Sequence, residues 1–210
     1  MKSKSAYLVL AALTIITAFG ASKANAYAMK SFSADMETVT SKHTVRSKMY
    51  FKAAKQRMET KEQGQESIII IRQDKKVMWM VMPQQKMYME MSLKNDKKDP
   101  FQMRNDKDAK VEKELLGSET VDGHPAKKYH ETYYANGKKE GSGFVWEATD
   151  LDNFPIKYQT EDKSATTTFK NIKTGDPADS LFETPSGFQK MDMGGMMGGM
   201  GGPGGHKRKH

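Results

Sequence analysis

Residues 77–91 read VMWMVMPQQKMYMEM, and this stretch decides the fold. Met78, Met80 and Met82 alternate with Val77, Trp79 and Val81; beyond Pro83-Gln84-Gln85-Lys86, Met87, Met89 and Met91 alternate with Tyr88 and Glu90. A period of two marks a strand with two unlike faces. A loop of two or four residues centred on Gln84-Gln85 makes the two runs a hairpin, and Pro83, lacking an N–H, ends the ladder there. In that register Met82 faces Met87, Met80 faces Met89 and Met78 faces Met91. Six thioethers then share one face, with Trp79 and Tyr88 on the other. A slip of one residue would undo the arrangement.

The period stays at two on either side of this hairpin. Phe32, Ala34, Met36 and Thr38 alternate with polar neighbours, and residues 45–51 do so more loosely. Four consecutive isoleucines, Ile68 to Ile71, predict a strand buried on both faces. Asp122-Gly123 and Asn136-Gly137 are tight-turn pairs. They bracket a strand over Ala126–Tyr134, with another over Phe144–Ala148. Ile156–Thr160 and Ala165–Ile172 form a last hairpin across Glu161-Asp162-Lys163. The stretch 99–117 breaks the pattern. Asp99-Pro100 suits an N-cap and first helical position, Gly117 suits the residue past a helix end, and Val111 and Leu115 lie four apart, so a helix is predicted there. Asp176-Pro177 opens a short helical turn through Phe182, and Pro185-Ser186-Gly187-Phe188 closes the domain. These elements describe an α+β, mostly β fold: a curved antiparallel sheet with one or two helices over one face.

The N-terminus is predicted to be an export signal. Lys2 and Lys4 precede an uncharged run from Ala6 to Phe19, and Ala24-Asn25-Ala26 is the small-x-small pattern that signal peptidase accepts. Cleavage is expected after Ala26. The apolar run is 14 residues, against the roughly 20 a membrane-spanning helix needs. Residues 1–26 are thus read as signal peptide, 27–190 as one β domain of a size that supports a real core, and 191–210 as a separate tail. The chain has no cysteine. That excludes disulfides, thiol nucleophiles, thiolate metal sites and the lipid-attachment cysteine of a lipoprotein, and points to the periplasm. The net charge of +8 is concentrated at the ends, in Lys2, Lys4 and Lys23 and in Lys207, Arg208 and Lys209. The body between shows no basic stripe of the kind a nucleic-acid binder presents.

Catalytic patterns are missing from the sequence. Gly141-Ser142-Gly143 lacks the flanking residues of a nucleophile elbow. His130-Glu131 begins like a zinc-protease helix, but Tyr134 stands where the second histidine belongs. The tail glycines follow no strand and open no helix, so they form no phosphate cradle. A non-enzymatic binding protein is expected.

Methionine is flexible and polarizable, and a wall of Met78, Met80, Met82, Met87, Met89 and Met91 suits an acyl chain, a lipoprotein segment or another apolar ligand. If the register inverts, Trp79 and Tyr88 line the site instead. Thioethers also select Cu(I). In the tail, Met191, Met193, Met196, Met197 and Met200, with His206 and His210, are a candidate copper set. Ordinary core packing of the stripe and a solvated low-complexity tail are the plain alternatives. The terminal Lys207-Arg208-Lys209 adds a weak attraction to an anionic membrane surface.

The order of motifs resembles a family of exported bacterial proteins of unknown function with a lipoprotein-carrier-like fold. The resemblance rests on Phe32-Ser-Ala-Asp-Met36, Ile68–Lys76, Val77-Met-Trp-Met-Val-Met-Pro83 and Lys86-Met-Tyr-Met-Glu90. It continues through Gly117-Ser-Glu-Thr-Val-Asp-Gly-His-Pro125, Lys128-Tyr129, Trp146, Asp150-Leu151 and Phe154-Pro-Ile-Lys157. Ser180-Leu-Phe-Glu183 and Pro185-Ser-Gly-Phe188 complete it. What it implies is an unclosed half-barrel with helices plugging its concave side, where carriers of that superfamily hold acyl chains.

Overall fold

Among the described residues, twelve strands form one sheet. The computed structural model describes residues 31–62, 64–93 and 110–191. The strands are β1 (Ser31–Thr40), β2 (Thr44–Lys52), β3 (Lys55–Glu62), β4 (Gln65–Arg72), β5 (Val77–Met82), β6 (Met87–Ser92), β7 (Lys110–Val121), β8 (His124–Ala135), β9 (Lys138–Ala148), β10 (Phe154–Thr160), β11 (Ala165–Thr174) and β12 (Gln189–Met191). Their order across the sheet is β12-β6-β5-β4-β3-β2-β1-β11-β10-β9-β8-β7, so β12 and β7 are edges and the curved sheet does not close. Every pair is antiparallel except β12 with β6.

The two faces of the sheet have separate cores. On one face, Phe32, Met36, Met49, Met58, Ile69, Ile71, Met78, Met91, Trp146, Phe154 and Phe169 form one cluster drawn from both halves of the sheet. Phe154 makes edge contacts with Phe32 at 4.9 Å and with Phe169 at 5.2 Å between ring centroids. On the other face, Ile68, Ile70, Trp79 and Val81 form a second cluster around Phe182. The isoleucine run therefore does what its pattern predicted: Ile69 and Ile71 face one core, Ile68 and Ile70 the other.

The predicted helices are corrected. Among the described residues there is no α-helix, only two short 3-10 turns, Pro83–Gln85 and Asp179–Phe182. The helix expected over 99–117 is strand β7 from Lys110 onward; 99–109 lie outside the described residues. The reason is that its thin stripe has nothing to bury: in β7 only Val121 is buried, and Leu115 and Leu116 are exposed. Pairing with β8 satisfies its backbone without needing an apolar face. Gly117, expected past a helix end, instead sits at φ +152° where the β7–β8 register shifts, a backbone geometry suited to glycine.

The cover lies on the face of this second cluster and comes from the C-terminal segment 176–188. Phe182 is wholly buried there. Arg57 donates from Nη1 to the Leu181 carbonyl at 2.9 Å, and Arg72 from Nη1 to the Phe182 carbonyl at 3.1 Å. Lys52 and Lys55 reach the Asp179 carboxylate at 3.2 and 2.7 Å. Arg72 also grips Asp74 through two bonds, 2.8 and 2.6 Å, and pairs with Glu183.

Hydrogen bonds from Arg72 hold the Asp74 carboxyl at about 2, below its ordinary 3.8. Burial pushes the Glu183 carboxyl up, but bonds from Lys75 and Arg72 outweigh that and leave it lowered. A carboxyl lowered by folding adds stability that is complete above its ordinary value and is lost as pH falls through the folded value. Fixation of the C-terminal strap is therefore expected to weaken between pH 3.8 and about 2. Denaturant titrations of wild type and Asp74→Asn across this window check it. The two should differ in midpoint at pH 5 and converge by pH 2; a constant difference would count against the pairing.

Candidate functional site, the methionine face

The hairpin register is the one the sequence implies: Met78 pairs with Met91, Met80 with Met89 and Met82 with Met87. It holds because the loop is a four-residue turn, with Pro83–Gln85 in a 3-10 turn and Lys86 at φ +50°, whose N–H donates to the Pro83 carbonyl at 3.1 Å. Directly opposite residues of an antiparallel pair share a face. The six methionines thus lie on the face of the larger cluster, while Trp79 packs in the second cluster with Tyr88 against it. Trp79 donates from Nε1 to Glu90 at 2.9 Å, and Lys190 pairs with the same carboxylate at 2.6 Å.

Burial grades along the stripe. Met78 and Met91 are 6% and 8% exposed and belong to the core of the larger cluster. Met80, Met82, Met87 and Met89 are only half-buried. Met80 packs against that core, and the apolar face runs on beyond it through Met82, Met87 and Met89, towards the Pro83–Lys86 turn.

The wall is broader than the sequence indicated. A transverse row crosses seven strands: Ala34 opposite Met49, Met49 opposite Met58, Met58 opposite Ile69, Ile69 opposite Met80, Met80 opposite Met89, and Met89 beside Met191. Met49, Met58 and Met191 extend the set. Met58 escaped the sequence reading because it sits among polar residues in Lys55–Glu62, where no apolar alternation announces a strand. Met191, grouped with the tail in sequence, is the last residue of β12. Met193, Met196, Met197, Met200, His206 and His210 lie outside the described residues.

Polar groups border this face in orderly pairs. Buried Thr38 and Thr167 share a hydrogen bond of 3.0 Å, and Ser47 and Thr60 one of 2.7 Å. At the far side of the larger cluster Trp146 donates from Nε1 to Glu119 and lies beneath two ammonium groups, Lys157 at 4.1 Å and Lys128 at 4.8 Å from its ring, a cation–π geometry. Elsewhere, the buried carboxylates of Glu131 and Glu147 are bridged by Lys113 at 2.8 and 2.5 Å. His124 and His130, which could share a strand face, instead engage separate carboxylates, Asp150 at 2.8 Å and Glu161 at 2.6 Å. Among the described residues no three His, Asp or Glu side chains gather as metal ligands.

Comparison with known proteins places this geometry in context. The family model described as a domain of unknown function, DUF4412, matches residues 33–153. No curated protein matches the chain. Its structure is similar to that of an uncharacterized conserved protein from Thermus thermophilus, with a TM-score of 0.55 and 13% identity over 79% of this chain and 91% of that one. It is also similar, at a TM-score of 0.44 and 12% identity, to the Mycobacterium tuberculosis lipoprotein LppX, over 84% and 100% of the two chains. A LolA superfamily protein from Nitrosomonas europaea gives 0.36 and 13% over 75% and 91%. At 13% identity the likeness to the Thermus protein is one of fold. The resemblance noted in sequence, to a family of unknown function, agrees with the family match.

Proposed function

The chain belongs to the DUF4412 family, a domain of unknown function, and on that premise we propose that it is an exported, non-enzymatic binding protein that shelters a lipid, an acyl chain or another apolar ligand against the methionine face of its sheet. The observation that supports this reading is the graded burial of the stripe. Met78 and Met91 are buried and Met80 packs against their core, whereas Met82, Met87 and Met89 present half-buried apolar surface on the same face. Contiguous apolar surface left open to water is costly and marks a place where something binds. Methionine suits ligands of varied shape because its unbranched chain re-packs easily. The ligand would lie along the row from Met49 to Met89, with the hydroxyl pairs Thr38–Thr167 and Ser47–Thr60 beside it.

Binding takes place outside the cytoplasm, in the periplasm, after removal of the leader at Ala26. No reaction is assigned to the site, since the face offers thioethers, methyl groups and paired hydroxyls but no general base held against a nucleophile.

Native mass spectrometry of protein recovered from the producing cell's envelope without detergent tests the reading. The expected spectrum shows a chain beginning at Tyr27 and an adduct in the lipid mass range. A bare mature mass from several preparations would count against the ligand, and a chain retaining residues 1–26 against the export step.

A further inference from the structure

The geometry points to a Cu(I)-binding site formed by the three thioethers of Met80, Met89 and Met191. Three adjacent strands bring them into one row: Met80 and Met89 are opposite in the antiparallel β5–β6 pair, and Met89 and Met191 are neighbours in the parallel β6–β12 pair. Opposed side chains of this kind have Cβ atoms about 4.5–5.5 Å apart, and strands lie about 4.8 Å apart. Each methionine has three rotatable side-chain bonds beyond its Cα, so three sulfurs can turn inward on a single ion. All three side chains are half-buried, which leaves the row reachable from solvent yet partly shielded from it.

β12 holds its methionine in position through contacts that do not involve sulfur. The Gln189 N–H donates to the Lys86 carbonyl at 2.9 Å, and Lys190 pairs with Glu90 at 2.6 Å. Lys190, Tyr88 and Glu90 alternate to the other face by the period of two. The row itself thus presents soft donors only, with no carboxylate or imidazole in it. Such a donor set selects Cu(I), and its analogue Ag(I), over Mg²⁺, Ca²⁺ or Zn²⁺. Four further methionines follow closely in the sequence, Met193, Met196, Met197 and Met200, and the site does not require them.

This inference goes beyond the apolar-ligand reading and is separable from it, because leucine preserves an apolar wall while removing the sulfur. Leucine for methionine is a volume-conserving exchange that cores tolerate. The test is an anaerobic titration of the full mature chain with Cu(I) against bicinchoninate, comparing wild type, a triple variant Met80→Leu, Met89→Leu and Met191→Leu, and a tail variant with Met193, Met196, Met197 and Met200 all changed to leucine. Wild type is expected to take up Cu(I) with an X-ray absorption spectrum of sulfur ligation. The triple variant should bind at least ~10-fold more weakly and the tail variant within about 3-fold of wild type, as a thioether-selected site requires. Wild type failing to compete, the triple variant binding as tightly as wild type, or the tail variant alone losing the ion would each overturn the assignment. Uptake of a fluorescent fatty acid is read in parallel. If the triple variant keeps that uptake and loses copper, the two readings stand apart; if it loses both with its fold intact, sulfur is needed for the apolar site and the copper result decides this inference alone.

Discussion

Replacing Met80 and Met89 together by aspartate is expected to abolish uptake of a fluorescent fatty acid, while the same two positions changed to leucine leave it within about 3-fold of wild type, since that exchange conserves volume and polarity. The two residues are opposite one another at the centre of the stripe, so both carboxylates would stand in the path of an acyl chain. Lodging a charged group against an apolar chain costs several kcal/mol or more unless it is paired, and each 1.4 kcal/mol is a factor of ten in affinity. No cationic side chain occupies the neighbouring positions of that row, Ile69 and Met191. Because both positions are half-buried, the sheet itself should survive, and a thermal melt within a few degrees of wild type verifies this. Uptake unchanged in a folded double-aspartate variant would sink the binding role of this face. Loss with leucine as well would mean that the interaction depends on sulfur rather than on apolar surface.

Much of this face could be read before the structure was known, for local reasons. The hairpin joins two strictly alternating runs through a four-residue turn, so period and loop length alone determine which methionines meet. The Asn136-Gly137 turn was equally plain, because both residues adopt positive φ, at 51° and 73°, a demand few other pairs meet. What escaped detection was set by partners distant in sequence. β3 has one apolar residue, Met58, and is a strand because β2 and β4 flank it. β7 carries helix-like end signals but lies at an edge, where pairing to β8 overrides local preference. The row from Met49 to Met191 depends on five successive ladder registers, and an error in any one of them hides it. Short of that, only the number of methionines, 17 in the chain, hinted that the hairpin was not the whole wall.

The strap over the Phe182 cluster was hidden for the same reason, and it supports the second large expectation. Phe182→Ala should destabilise the protein by about 3–5 kcal/mol, the usual cost of emptying a buried phenylalanine site. Phe182 has no exposed surface and fills the space among Ile68, Ile70, Trp79 and Val81, residues of the two strands that carry or adjoin the methionine hairpin. Its main chain is pinned on both sides, by Arg57 at the Leu181 carbonyl and by Arg72 at the Phe182 carbonyl, so the segment cannot easily slide to close the gap. That rigidity keeps most of the cavity open and places the cost towards the upper end. The loss should be visible as a lower denaturant midpoint with unchanged slope. For a domain of this size each kcal/mol corresponds to about 2–4 °C in melting temperature. The effect should also reach β12, which leaves the strap only seven residues later and lies against Met89. Hydrogen exchange at Lys190 and Met191 should therefore quicken in Phe182→Ala more than exchange in β10 and β11, at the opposite side of the sheet order. A variant with wild-type stability would show that Arg57, Arg72 and the lysine pair at Asp179 hold the strap without its aromatic anchor. Equal quickening everywhere would show that the strap is not a unit of its own.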